Sequence, residues 1–269
     1  MLDGRVACNP ARSKTPPRAP PRSIPGRPRS SGVELWDGSR CNAGFAMNLT
    51  SIRCLLLTAA LAASPGLLSA APKAHPDTKG WEPLFATDLS NAVTKPGEWV
   101  VENGVLVAKN HFTLWTKKSY ANFILDLEFK VAKESNSGVF LRSGDIKNVL
   151  AALEIQVHES QDGALYGMVG AIYNAQPPAK AMAKPVGEWN RFTLTCRDSR
   201  IALIFNGEEV YNVDLNDWKE PRLNPDGTKN KFAKALKDFS RQGPIGLQGL
   251  HGKAQAPVWY RNLRIKELK

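Results

Sequence analysis

The chain has 269 residues with 36 Lys/Arg against 25 Asp/Glu, a formal net charge of +11, and is long enough for one large or two modest domains. The charge is unevenly placed, because nine of those basic and three of those acidic residues fall within residues 1–71, leaving +5 for the rest. There the cations alternate with acids along short segments, and no basic stripe carries interleaved aromatics, which excludes nucleic acid as the expected partner.

Residues 1–46 are crowded with Arg, Pro and Ser, as in KTPPRAPPRSIPGRPRSSG, and hold too little apolar periodicity to offset the entropy of ordering. They are expected to be disordered and are read as a start-site artefact, with translation beginning at Met47. The competing reading is a basic tail ahead of a signal anchor. An apolar run from Cys54 to Leu68 follows, then the small residues Ser69, Ala70 and Ala71, the order of a signal peptide over 47–71. The run is interrupted by Pro65-Gly66 and is shorter than the roughly 20 residues a membrane span needs. An exported protein, periplasmic or extracellular, is expected, with a linker over 72–79 and no membrane span after cleavage.

Cys8, Cys41 and Cys54 precede the expected cleavage point, so Cys196 stands alone and no disulfide can form in the mature chain. Cys196 alternates with Phe192 and Leu194, as a small buried residue would. With no CxxC and only scattered His, no metal site is expected. No cofactor is expected either, a structural calcium being left open, and the oligomeric state is not legible.

From Trp81 onward short alternating segments are broken by Gly, Asn and Pro, the pattern of an all-β sandwich over 80–269. Strands are predicted at Trp99 to Glu102, Val105 to Ala108, Phe123 to Val131, Gly138 to Arg142, Leu153 to His158, Asn190 to Arg197, Arg200 to Phe205, Glu208 to Asp214, Gly246 to Gln248 and Val258 to Lys266. Asn103-Gly104 and Asn206-Gly207 predict tight hairpins, because both residues of such a turn tolerate positive φ. One segment departs from the β rhythm: in Asn224 to Gln242 the residues Phe232, Ala235, Leu236 and Phe239 recur at helical spacing. A short amphipathic helix near residues 230–240, packed on the sandwich edge, is predicted there.

Successive strand residues face opposite ways. Val139 and Leu141 therefore oppose Gly138, Phe140 and Arg142; Leu153, Ile155 and Val157 oppose Glu154, Gln156 and His158; Ile245 and Leu247 oppose Gly246 and Gln248. Three strands each pair an apolar face with one rich in long hydrogen-bonding groups, suited to a shallow groove in which glycines let a sugar ring approach. One or two of the tryptophans could stack on such a ring. The bland alternative is a solvated face held by a cross-strand Arg142–Glu154 pair.

The segments NSGVFLRSG, LEIQVHES, GALYG, KPVGEWNRFTLTC, IALIFNGEEV, NPDGTKNKFAKALKDF, GPIGLQGLHG and PVWYRNLRIKEL, in this order, closely resemble the 3-keto-disaccharide hydrolase domain family. The resemblance spans essentially Gly80 to Lys269. It implies a concanavalin-like jelly-roll β-sandwich of two antiparallel sheets, a carbohydrate partner, and action on glycosides oxidised at C3. Such chemistry needs one base to take the C2 hydrogen that the ketone acidifies, donors for the enolate oxygen, and an acid for the leaving group. On that resemblance Glu154 is the expected base, with Arg142 and Gln248 polarising the keto oxygen and Asn136, Gln156 and Tyr166 orienting hydroxyls. His251 or His158 is the acid or an alternative base. Many members read LQDHG where this chain reads Leu247-Gln248-Gly249-Leu250-His251-Gly252, which removes an Asp and shifts His251 by one place.

Two other functions fit the same strands. A non-catalytic, lectin-like carbohydrate-binding module would use the groove without turnover. A retaining endoglucanase would use Glu154 and Glu159, provided that a bulge returned Glu159 to the same face.

Overall fold

The computed structural model describes residues 74–159 and 164–269. The disordered segment, the signal peptide and the first three cysteines expected from the sequence lie outside these residues. Thirteen strands run in chain order: β1 (Glu82–Pro83), β2 (Ala92–Val93), β3 (Trp99–Glu102), β4 (Val105–Ala108), β5 (Leu114–Thr116), β6 (Phe123–Val131), β7 (Asn136–Leu141), β8 (Leu153–His158), β9 (Asn190–Arg197), β10 (Arg200–Phe205), β11 (Glu208–Asp214), β12 (Gly246–Leu247) and β13 (Val258–Glu267). They form two antiparallel sheets, one of eight strands in the order β11-β10-β9-β6-β13-β4-β3 with β1 on β13, the other of five in the order β2-β5-β12-β7-β8. This is the jelly-roll sandwich that the resemblance implies. No helix among the described residues is long and apolar enough to cross a membrane.

The alternation seen in the sequence builds the core. In β6, Phe123, Leu125, Leu127 and Phe129 are fully buried, and β9 and β10 add Phe192, Leu194, Cys196, Ile201, Leu203 and Phe205. Phe192 packs between Phe129 and Phe205, with ring centroids at 4.6 and 4.7 Å, and aromatic pairs of this kind add to simple area burial. The facing sheet contributes Leu114, Val139, Leu141, Leu153, Ile155, Val157, Ile245 and Leu247. Both predicted hairpin turns have two consecutive residues of positive φ, Asn103 and Gly104, then Asn206 and Gly207, as a type I′ turn requires. The part of the expected linker that is described lies against the large sheet: His75 bonds Thr193 Oγ1 at 2.8 Å and accepts the Gly207 amide at 2.9 Å.

The helix predicted near 230–240 does not form; only a single 3-10 turn, Leu236–Asp238, is present. Phe232, Ala235 and Leu236 are buried as their spacing suggested, but the backbone around them bonds outward. Arg222 donates to the Phe232 carbonyl, Asn230 donates to the Arg222 carbonyl, and Lys237 donates to the Trp218 carbonyl. These tertiary partners outweigh a short helix, whose nucleation in isolation is unfavourable.

Arg142 also departs from expectation. Strand β7 ends at Leu141, and Arg142 takes a left-handed conformation with φ 48°, so the side-chain alternation stops one residue early. Its guanidinium, 2% exposed, donates to the carbonyls of Ala121 and Asp198 at 2.6 Å each and to Asn122 Oδ1 at 3.3 Å. It thus ties the end of the five-stranded sheet to the β6 and β9 ends of the other, and forms no pair with Glu154. Removing the donor strands two carbonyls, so Arg142→Met is expected to cost about 2–4 kcal/mol of stability in urea unfolding while leaving the Glu154 titration in place. A concerted change in that titration would show that the two groups do interact.

Candidate functional site

The outward face of the five-stranded sheet carries the candidate site, and strand register sets it out in rows. Across β7 and β8, Asn136 lies opposite His158, Gly138 opposite Gln156, and Phe140 opposite Glu154. On the other flank of β7, Gly246 of β12 lies opposite Phe140, and the Gln248 amide donates to the Gly138 carbonyl at 2.8 Å. One row is therefore Gln248, Gly138, Gln156, and the next is Gly246, Phe140, Glu154. Beneath them the inward-facing Ser137 donates to the Gln248 carbonyl at 2.6 Å and bonds the Tyr260 hydroxyl at 2.8 Å, anchoring this row to the opposite sheet.

Neither glycine is open to a ligand. A Cβ on Gly138 would stand 2.3 Å from Glu154 Oε1, and one on Gly246 would stand 2.6 Å from the Trp115 ring. The Glu154 carboxylate lies where a side chain at 138 would be, and the Trp115 indole covers Gly246. The glycines serve the protein's own side chains rather than a sugar ring. Trp115 in turn stacks on Phe140 at 5.4 Å, and Ile146 and Val149 from the β7–β8 connection cap that pair. Glu154 and Gln156 point away from the core and yet are only 7% and 5% exposed, so this face forms a recess.

The partner of Glu154 is a residue that the sequence did not single out. Lys231 Nζ stands 3.8 Å from Glu154 Oε2 and lies over the Tyr173 and Phe232 rings at 4.7 and 5.3 Å. Tyr173 reaches this position because residues 170–173 extend the ladder beyond β8: Gln156 donates to the Ala171 carbonyl and Tyr173 to the Glu154 carbonyl. Burial pushes the Glu154 carboxyl up to about 7, against the opposing pull of Lys231, and burial likewise lowers the Lys231 ammonium. Both shifts favour the uncharged forms, as expected for an ion pair that is longer than a hydrogen bond and poorly hydrated. Two further groups flank the carboxylate with unused capacity: Gln156 Oε1 and Gln248 Oε1 are buried and have no hydrogen-bond partner. Unsatisfied buried acceptors are costly, and ligand hydroxyls would satisfy both.

The other expected site residues are distributed around this centre. His158 is half-buried at the end of β8 opposite Asn136. His251 is exposed on the loop after β12, where Gly252 adjoins the Asn136 side chain. The Tyr166 hydroxyl donates to Asp226 Oδ2 and accepts from Thr228 Oγ1 at 3.0 Å. Asn224, in the same loop, accepts from the Trp218 indole and donates to the Asn174 carbonyl. Tyr166 therefore helps to hold the 224–230 loop that leads into Lys231. The pairing of β7 with β8 runs without a register shift through His158, so no bulge returns Glu159 to the face of Glu154. The endoglucanase arrangement is not built. Among the described residues, no group of three or more His, Cys, Asp or Glu side chains could hold a metal ion.

Comparison with known proteins agrees with this architecture. The family model described as a 3-keto-alpha-glucoside-1,2-lyase-like domain matches residues 77–266. A curated 3-keto-disaccharide hydrolase of Bacteroides thetaiotaomicron is 24% identical over 210 residues, covering 64% of this chain and 71% of that protein. A crystal structure from Parabacteroides distasonis, provisionally assigned as a glycosyl hydrolase, is 36% identical with a TM-score of 0.67, covering 70% of this chain and 99% of its own. A second from the same organism, with the same provisional assignment, is 25% identical with a TM-score of 0.53, covering 64% of this chain and 84% of its own.

Two outcomes follow from the buried carboxyl. Glu154 holds its proton more tightly in the fold, at about 7 against the ordinary 4.5, so between these values the folded state binds the extra proton and stability falls as pH rises. Glu154→Gln is expected to abolish that decline, leaving the variant more stable than the parent at pH 8 by up to about 3 kcal/mol. Parallel urea midpoints for the two proteins from pH 4 to 8 would contradict this. Gly138→Ala is expected to evict the carboxylate, and the Glu154 midpoint, followed by side-chain carbon NMR, should drop toward the ordinary carboxylate range. An unmoved midpoint would show that Gly138 does not set the position of the acid.

Proposed function

Because the chain belongs to the 3-keto-alpha-glucoside-1,2-lyase-like domain family, we propose that it cleaves the glycosidic bond of sugars oxidised at C3, with Glu154 as the base. The observation that carries this reading is the buried carboxyl of Glu154, whose affinity for a proton is raised to about 7, the range in which a general base or acid works best near neutral pH. Ordinary glycosidases use two flanking carboxylates. A 3-keto sugar needs only one, since the ketone makes the C2 hydrogen acidic.

In the proposed reaction Glu154 takes the C2 proton, and the electron pair of the C2–H bond passes to the keto oxygen as an enolate. Side-chain amides of Gln248 and Gln156, which share a row beside the carboxylate, are the candidates to receive that oxygen; Gln248 keeps its expected role, and Gln156 takes the one expected of Arg142. The enolate then collapses, the C1–O bond breaks with its electron pair leaving on oxygen, and the Lys231 ammonium supplies the leaving group with a proton. Water adds at C1 of the resulting enone and gives a proton to the neutral Lys231 amine, while the Glu154 carboxyl, whose proton has exchanged with the entering solvent, protonates C2. The sum is hydrolysis, with both side chains restored. The recess excludes most water, so the carboxylate is not levelled by hydration before it reacts.

Incubation with 3-keto-trehalose or 3-keto-lactose and with their unoxidised parents tests the reading. Monosaccharide release from the keto sugars alone is expected, and Glu154→Gln should lower kcat at least 1,000-fold, a scale in keeping with general-base catalysis of about 10²–10⁴-fold, while still binding the substrate. Binding by the parent protein without turnover would assign it instead to the lectin-like class.

A further inference from the structure

The N-terminal end of the described chain lies across the outer face of the eight-stranded sheet, on the other sheet from Glu154. Residues 74–81 precede β1, which is paired to β13, and among the described residues three hydrogen bonds tie them down. His75 Nδ1 meets Thr193 Oγ1 at 2.8 Å, the Gly207 amide donates to His75 Nε2 at 2.9 Å, and Arg191 Nη2 donates to the Pro76 carbonyl at 2.9 Å. Thr193 and Arg191 belong to β9, and Gly207 to the turn between β10 and β11. Two of the three bonds therefore depend on one imidazole.

The partners of that imidazole fix its protonation. Because the Gly207 N–H points at Nε2, this nitrogen carries the lone pair and the ring hydrogen is on Nδ1. Nδ1 then donates to Thr193, whose own hydroxyl hydrogen goes to Asp126 Oδ2, and Arg191 Nε donates to Asp126 Oδ1 at 2.9 Å. One chain of bonds thus runs from the Gly207 amide to an ion pair on the sheet. A second proton on the ring would have to sit on Nε2, facing the Gly207 N–H. Two donors cannot form one hydrogen bond, so the charged ring loses that contact.

The surroundings add to the penalty. The charged groups around the ring are Arg191 on β9, Glu128 on β6 and Lys184 before β9, with Asp126 of β6 behind Thr193. Burial pushes the ring down to about 4 from 6.5, helped by Arg191, opposed by Glu128 and helped again by Lys184. Glu128, despite its burial, is held low by Asn262 and Arg261. Burial raises the Asp126 carboxyl, which makes it the second group able to titrate in mild acid.

We propose that residues 74–81 are an acid-released strap, docked on the outer sheet by neutral His75 and freed when the ring takes a second proton. The undocked ring binds that proton near 6.5 and the docked ring near 4. Docking is therefore at full strength above about 6.5 and weakens as pH falls toward 4, by roughly tenfold per unit. Release stops at β1, where Glu82 and Pro83 pair with Ile265 and Arg264. It adds roughly 25 Å to the reach of the chain ahead of the domain, at about 3.3 Å for each extended residue. It also opens a recess of about 630 Å3 in which Asp126, Glu128, Arg191, Asn262 and Arg264 lie under residues 77–81.

The test follows the full-length protein by NMR from pH 7.5 to 4.5. His75 is expected to show the Nδ1–H tautomer at pH 7.5 and a midpoint near 4. Hydrogen-exchange protection of the Gly207 amide, corrected for the intrinsic pH dependence of exchange, should fall about 10-fold by pH 5.5 and about 70-fold by pH 4.5. Amides of the β6–β9 ladder should keep their protection, and a parallel fall there would make the event general unfolding and overturn the strap. His75→Gln keeps an acceptor for Gly207 but cannot become charged, so its Gly207 protection should not vary with pH. An acid-dependent loss that survives in His75→Gln would place the sensor at Asp126 and overturn the assignment to His75. Should that variant leave Gly207 unprotected throughout, the parent ring decides. A His75 midpoint near 6.5, or an Nε2–H tautomer at pH 7.5, would overturn the proposal.

Discussion

The candidate site depends on one steric fact: the Glu154 carboxylate fills the space that a side chain on Gly138 would occupy. Because β7 and β8 pair in unbroken register, Glu154 and Gly138 share a face in adjoining rows, and the missing Cβ lets the carboxylate settle between Gln156 and Gln248. That position keeps it nearly dry. Desolvation then raises its affinity for a proton, and Lys231, the cation that counters this from 3.8 Å, itself lies over two aromatic rings. Register, glycine, burial and proton affinity are successive consequences of one local packing choice.

This choice also explains why the pair resembles a working acid and base more than a structural ion pair. One structural pair, Arg261 with Glu128, looks different. Arg261 donates twice to Glu128, at 2.7 and 2.9 Å, and those bonds help to hold the Glu128 carboxyl below its usual range despite its burial. Glu154 and Lys231 are shifted the opposite way, each toward its neutral form. Two groups whose charges are both penalised can exchange a proton with a substrate at little cost, which is the condition for acid–base chemistry near neutral pH.

Much of the fold was legible because an antiparallel sandwich imposes a period of two on its strands. Phe123, Leu125, Leu127 and Phe129 announce β6, and Asn-Gly pairs announce two hairpins, with the structure adding only the short strands β1, β2 and β5. The convergence of Glu154, Gln156 and Gln248 followed from the same parity. Arg142 broke it, since a left-handed residue at a strand end turns its side chain out of the alternation, and nothing in SGVFLRSG marks that conformation. Lys231 was invisible for a different reason: it meets Glu154 across 77 residues through a loop whose path is fixed by Asn224, Trp218 and Asn174. The helical spacing of Phe232 to Phe239 concealed it further, because those residues reach the core from an extended chain with tertiary backbone partners. The role of the glycines was visible in kind, as places of close approach, but their occupants are Glu154 and Trp115.

The most direct measurement is the fate of the C2 hydrogen when a 3-keto-glycoside is cleaved in deuterated water, read by mass spectrometry at early turnover against a control without protein. Removal of that hydrogen by Glu154, followed by hydration, predicts one deuterium at C2 of the released keto sugar, above the control, and no such label with Glu154→Gln. A product that keeps its original hydrogen at C2 would mean direct cleavage of the C1–O bond, and would contradict the assignment of Glu154 as the base.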